Sequence, residues 1–271
     1  MFTWLKRIRA GAAQEAPVQN AIPSPAKVEK LLSRLDDQAE AAVSLVPTIP
    51  VDTPVRPISS STCVIAIAAQ KGGAGKTTIA AHLAVHALKT GQGPVVLADT
   101  DPQGSLTQWW RARDDDRLAL ATVTLDDLAA QPEALRGRGA AIAIVDTPPA
   151  LTTSIEHVIG LSDFVLIPVR PSPHDLRAIG ATVELVRRAR KPFVFVVNGA
   201  APRANITAEA VAALSEHGQV APVILYQRTE FAASMIDGRT VMEVAPEGRS
   251  AQEIAQLWDY IYGQMSLREA A

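Results

Sequence analysis

The stretch KGGAGKTT, residues 71 to 78, concentrates three glycines, two lysines and two threonines in eight positions. Glycines let a backbone approach an anion closely, a lysine after the last glycine neutralises terminal phosphates, and the next hydroxyl can coordinate Mg2+. Gly75, Lys76 and Thr77 match the end of the phosphate-loop pattern G-x-x-x-x-G-K-[ST]. The first glycine of that pattern is replaced by Gln70, with Lys71 directly after it. The chemistry indicated is nucleotide phosphate binding by Gly72, Gly73, Ala74, Gly75, Lys76, Thr77 and Thr78, with a second cation in the loop. A glycine-rich turn of purely structural use would account for the glycines, but not for Lys and Thr in register behind them.

Two acidic stretches point the same way. LADTDPQGS carries Asp99 and Asp101 two residues apart, on one face of an extended backbone, and IAIVDTPP ends in Asp146. A carboxylate at such a strand end is the usual holder of a magnesium ion and its waters. Each of the three could instead serve as a turn residue or helix cap.

These groups need elements that bring them together. CVIAIAAQ, PVVLADTD, AAIAIVDTPP, DFVLIPVRP, PFVFVVNGA and VAPVILYQR each read as a short buried strand. Between them lie helical patterns over Thr78 to Lys89, Asp175 to Arg190 and Thr207 to His217, and a last one runs from Ala251 to Met265. In the last, Ile254, Leu257, Trp258 and Ile261 form one stripe directed at the sheet. Alternation of strand and helix implies an α/β domain with a single doubly wound, mainly parallel sheet. Its ligand crevice lies at the carboxyl ends of the strands, where every motif above sits.

Residues 1–60 differ in composition from 61–271. APVQNAIPSPAK and VPTIPVDTPVRPISSS read as linkers of a largely disordered extension, with one candidate helix at about 27–45 carrying Val28, Leu31, Leu32 and Leu35. The opening MFTWLKRIR interleaves apolar and basic residues, a pattern suited to a membrane surface, a partner protein or a frayed tail. No apolar run reaches the roughly 18 residues of a membrane span and the start has no long apolar leader, so a cytoplasmic location is expected. The single cysteine, Cys63, excludes an intrachain disulfide framework and favours plain burial. A net charge of −2 confines any nucleic-acid contact to a local basic patch. RRARKP supplies Arg187, Arg188, Arg190 and Lys191, and Arg203 follows in the next loop. The same cations could simply complement a helix dipole.

KGGAGKTT resembles the deviant Walker A motif of the ParA/MinD family of P-loop ATPases, and DTDPQGSLTQWW and VDTPP are similar to the two motifs that follow it in the DNA-segregation branch. RPSPHDLRAI, VVNGA and the stretch from Arg228 to Ile261 look like that family's later strands, adenine-side loop and terminal helices. The resemblance runs from about Val64 to Met265. It implies a P-loop NTPase fold, ATP and Mg2+ as cofactors, and a homodimer bridged by ATP. By the same resemblance Lys76 is the Walker lysine, Thr77 the magnesium ligand, and Lys71 the signature lysine that reaches the partner's nucleotide. Asp101 positions or activates the attacking water, Asp99 supports magnesium, Asp146 is the Walker B aspartate, and Asn198 with Arg228 lies near the adenine. Trp109 and Trp110 belong to packing.

The branch of closest resemblance implies partition of a large cargo: nonspecific DNA binding by the ATP dimer, ended by a ParB-like or other cargo-bound activator. Physical reasoning supports the dimer separately, since a second loop lysine is most useful on the nucleotide of a partner, like an arginine finger supplied in trans. A MinD-like membrane ATPase is the rival reading, although GQMSLREAA is short and acidic for a membrane helix. Iron–sulfur reductases with this loop need two cysteines per chain, which excludes them here. A metabolic P-loop enzyme stays open, because fold does not fix substrate.

Overall fold

The runs Cys63–Ile67 (β1), Val95–Asp99 (β2), Ala119–Ala121 (β3), Ile142–Asp146 (β4), Phe164–Val169 (β5), Phe193–Ala200 (β6) and Leu225–Tyr226 (β7) form one sheet, all neighbours parallel, in the order β3-β2-β4-β1-β5-β6-β7. Four of these, β1, β2, β4 and β5, are almost wholly buried, as continuous apolar strands in a doubly covered parallel sheet should be. The computed structural model describes residues 62–121, 140–149 and 153–269; the candidate helix at 27–45 and the N-terminal stretch lie outside them.

Helices Lys76–Lys89 (α1), Ser105–Arg111 (α2), Thr153–Leu161 (α3), Pro173–Arg188 (α4), Asn205–Ser215 (α5), Thr229–Ser234 (α6), Val241–Val244 (α7) and Arg249–Glu269 (α8) complete the described chain. One face of the sheet presents Ile65, Ile67, Leu97, Ile144 and Leu166 to α1 and α8, where Ile254, Leu257, Trp258 and Ile261 are fully buried. The other face presents Val64, Ala66, Ala98 and Val145 towards α3, with α4 packed on β5 and α5 on β6. Cys63 is buried at the start of β1.

Departures from the sequence reading have local causes. VAPVILYQR pairs only at Leu225–Tyr226 and through one bridge from Val220 to Phe195, because Pro222 lacks the N–H a ladder needs. The three-residue edge strand β3 and the short α6 and α7 span too few residues to display a period. Helix α4 begins two residues before the expected start, capped by Ser172, whose hydroxyl accepts the Asp175 N–H, with Pro173 in the first turn.

His82 fastens α1 to the α7 segment from a fully buried position. Its Nδ1–H donates to the Thr78 carbonyl at 2.8 Å, and Nε2 accepts the Val241 N–H at 3.3 Å. The bond from Val241 requires an unprotonated Nε2, and burial lowers the ring's pKa to about 4, although the Thr78 carbonyl and Glu243 oppose that shift. In the unfolded chain the ring takes up a proton near its ordinary value, so stability is complete above about pH 6.5 and falls as pH drops towards 4. This single group is expected to contribute about 3 kcal/mol of that loss. Urea unfolding at pH 7 and pH 4.5 should show a shallower pH dependence for His82→Gln than for the parent protein; equal slopes would remove His82 from this account.

Candidate nucleotide-binding site

Strand register sets the site. Ile67 of β1 and Asp99 of β2 both pair with Asp146 of β4, so three strands end level. Two threonine hydroxyls lock these ends: Thr147 Oγ1 donates to the Ile67 carbonyl at 2.9 Å, and Thr100 Oγ1 to the Asp146 carbonyl at 2.7 Å. From this common edge the chain leaves β1 through residues 68–75 and enters α1 at Lys76. Gly73 and Gly75 hold positive φ angles of 75° and 92°, a region costly for residues with a Cβ.

The two loop lysines differ in environment. Lys76 is 7% exposed, and its ammonium donates to the carbonyls of Ala69 at 3.3 Å and Lys71 at 3.5 Å. Burial lowers its pKa, while Asp146 and Asp101 oppose that shift. Lys71 is exposed. Its ammonium has no hydrogen bond or ion pair among the described residues.

Asp146 is 1% exposed, and Thr77 Oγ1 donates to its Oδ2 at 2.6 Å. Burial pushes its pKa up to about 7; the Thr77 hydrogen bond and the Lys76 charge pull against that, while Asp99 and Asp101 add to it. Its Oδ1 is buried with no hydrogen-bond partner among the described residues. An acceptor in that condition is matched by a cation or a cation-bound water. Thr77 gives its only proton to Asp146, so its lone pairs remain for a divalent ion. Loop, lysine, hydroxyl and orphaned carboxylate oxygen therefore fit a Mg2+-nucleotide.

Asp99, which the resemblance implies supports magnesium, meets protein donors with both carboxylate oxygens. Its Oδ2 accepts both the N–H and the hydroxyl of Thr107, at 2.7 and 2.8 Å, and its Oδ1 accepts the Asp101 N–H at 3.2 Å. Gly104, which caps α2, has no side chain for the helix N–H groups; Asp99 does that work from the neighbouring strand. Asp101 follows in a half-buried turn, its Oδ1 accepting the Gln103 N–H at 3.0 Å. Thr107 is thus a site residue the sequence reading missed: it stands inside the quoted stretch, but only folding reveals the carboxylate it meets.

Asn198, at the end of β6, donates its amide to the Ala74 carbonyl at 2.7 Å, so it braces the phosphate loop. Arg228 pairs with Glu253 of α8 and lies over the Tyr226 ring at 5.5 Å, tying β7 to the last helix. The basic residues are not one patch. Arg187, Arg188, Arg190 and Lys191 lie where α4 has returned to the start of β6, whereas Arg203 follows that strand's far end. Eight residues of strand separate them, roughly 25 Å. Arg187 donates to the His217 carbonyl and Arg188 pairs with Glu156. Trp109 and Trp110 point inward, their indoles donating to the carbonyls of Arg239 and Leu118.

A parallel sheet with a glycine-rich loop between its central strand and first helix, facing a buried carboxylate on the next strand, defines a P-loop nucleotide-binding protein. The chain belongs to the CobQ/CobB/MinD/ParA nucleotide-binding domain family, whose model matches residues 65–241. It is 32% identical over 209 residues to the maintenance of carboxysome distribution protein A of Halothiobacillus neapolitanus, covering 73% of this chain and 96% of that one. It is 26% identical over 242 residues to the chromosome-partitioning ATPase Soj of Thermus thermophilus, covering 74% and 96%. The Mg-ADP complex of MinD from Pyrococcus horikoshii superposes with a TM-score of 0.63 at 17% identity, over 74% of this chain and 96% of that one.

Gly75 offers a direct test of the loop. A Cβ there would lie 2.1 Å from Asn198 Nδ2, on a left-handed backbone. Gly75→Ala is expected to lose nucleotide binding and at least about 1–2 kcal/mol of stability. Asn198→Ala added to it should relieve the collision but not the backbone cost. Titration with a fluorescent nucleotide beside urea unfolding checks both, and a Gly75→Ala protein as stable as its parent would contradict the geometry.

Proposed function

We propose that this chain is a Mg2+-dependent ATPase whose ATP-bound form is a face-to-face homodimer, and that hydrolysis times its release from a scaffold on which it positions a large cargo. The observation that carries this is the contrast between Lys76, buried over its own loop, and Lys71, exposed beside it. A cation serving its own nucleotide belongs inside the loop; one serving a partner's nucleotide belongs at the surface. Members of the family are ATPases, and relatives of this chain bear names of carboxysome distribution and chromosome partitioning. ATP and Mg2+ are the cofactors in this reading, with residues 61–271 as the ATPase domain and residues 1–60 as an appended extension.

Within this mechanism Mg2+ would supply charge neutralisation between the terminal phosphates. Lys76 and the loop N–H groups bind and orient those phosphates. Thr77 and Asp146 would hold the ion and its water. Asp101, kept in place by Asp99, orients the attacking water, and Lys71 completes the site of the opposite subunit. The scaffold is nonspecific DNA, held through phosphate contacts by exposed cations such as Arg190, and a ParB-like or other cargo-bound protein triggers hydrolysis. The protein is cytoplasmic and nucleoid-associated when ATP is bound. Among the described residues no helix is long and apolar enough to cross a membrane.

Lys76→Ala is expected to abolish ATP binding and turnover. Lys71→Ala should still bind ATP but fail to dimerise, with hydrolysis down about 100-fold or more, the scale of losing a trans-acting cation. Light scattering with ATP and a phosphate-release assay read both. A Lys71→Ala protein that dimerises and hydrolyses normally would overturn the role of Lys71 on the partner's nucleotide, a parent protein that stays monomeric with ATP would overturn the dimer, and no ATP-dependent DNA binding even at low salt would overturn the scaffold.

A further inference from the structure

The segment Gly238–Glu243 lies between the two helices that leave the nucleotide site and touches both. On one side it meets α2 and the residues just beyond. Trp109 Nε1 donates to the Arg239 carbonyl at 3.0 Å, and Arg113 donates to the Gly238 carbonyl at 2.7 Å. Arg113 also forms a two-pronged pair with Glu243, at 2.8 and 3.1 Å, and stacks over the Trp109 ring at 5.1 Å. The Arg113 side chain is 2% exposed. On the other side His82 of α1 accepts the Val241 N–H, and Lys89 of α1 donates to the Met242 carbonyl at 2.8 Å. Glu243 is itself fixed by the Thr240 N–H and hydroxyl, at 2.8 and 3.0 Å. Contact with the residues just past α2 is so close that a Cβ on Gly238 would lie 2.4 Å from the Arg113 backbone nitrogen.

From this arrangement we infer that Arg113, gripped by Glu243 and Gly238, is a positioning residue for Asp101. Helix α2 has seven residues and a glycine cap, too short to hold its own geometry. Asp99 fixes its amino end and Arg113 anchors the chain just past its carboxyl end. The span from Asp101 to Arg113 is therefore held at both ends, by Asp99 at one and by Glu243 and Gly238 at the other. A bidentate guanidinium–carboxylate pair in a buried setting fixes both distance and angle. This inference rests on the ATPase reading of the site and assigns the chain a part that sets how Asp101 faces the phosphates.

The test compares Arg113→Gln and the milder Arg113→Lys with Arg117→Gln, a control that removes the exposed pair with Asp115. Turnover and nucleotide affinity are measured on the full chain, with hydrogen exchange of residues 100–108 in the nucleotide-free protein. For both Arg113 variants we expect turnover down about tenfold or more, affinity within about threefold of the parent, and faster exchange confined to that turn. In an Asp101→Asn background the Arg113→Gln change should add little further loss of turnover. Unchanged exchange in 100–108 for Arg113→Lys, or turnover like that of Arg117→Gln, would overturn the positioning role. Failure of the parent protein to hydrolyse ATP would instead remove the ATPase reading on which it rests.

Discussion

Asp146 is the fixed point to which the rest of the site is referenced. A carboxylate almost without solvent contact is costly unless something compensates it, and here compensation comes from Thr77 on one oxygen and the Lys76 charge nearby. Its strand neighbours, Ile67 and Asp99, share its level through parallel register, and Thr100 and Thr147 hold that level with side-chain bonds. Shifting β4 by one residue would turn Asp146 to the opposite face of the sheet and separate every group described. The central strands are accordingly almost wholly buried.

Around this point the three acids divide their tasks by environment. Asp146 is dry and has one oxygen unsatisfied among the described residues. Asp99 spends both oxygens on N–H and hydroxyl donors and so behaves as a remote cap for α2. Asp101 is half-buried and retains access to solvent. Sequence spacing puts all three at strand ends but cannot tell them apart, because their differences arise from what folds against them.

Much of the fold was readable because it rests on local pattern. Apolar runs bounded by turns gave the central strands, and the stripe Ile254, Leu257, Trp258 and Ile261 gave the face of the last helix. The phosphate loop was readable because a contiguous segment encodes it. What escaped depends on long-range meetings: Asn198 with Ala74, Arg113 with Glu243, His82 with Val241. Arg203 stands near Arg187 to Lys191 in sequence, yet a strand is long enough to carry neighbours to opposite ends of a sheet. Arg228, read as adenine-side, spends its guanidinium on Glu253 and Tyr226.

That strand, β6, has a further consequence. Arg190 and Lys191 precede it and Asn198, which braces the phosphate loop, lies near its end. Under the proposed DNA scaffold, a polyanion resting on the first pair and a nucleotide in the loop would lie at opposite ends of one strand and would not compete for the same volume.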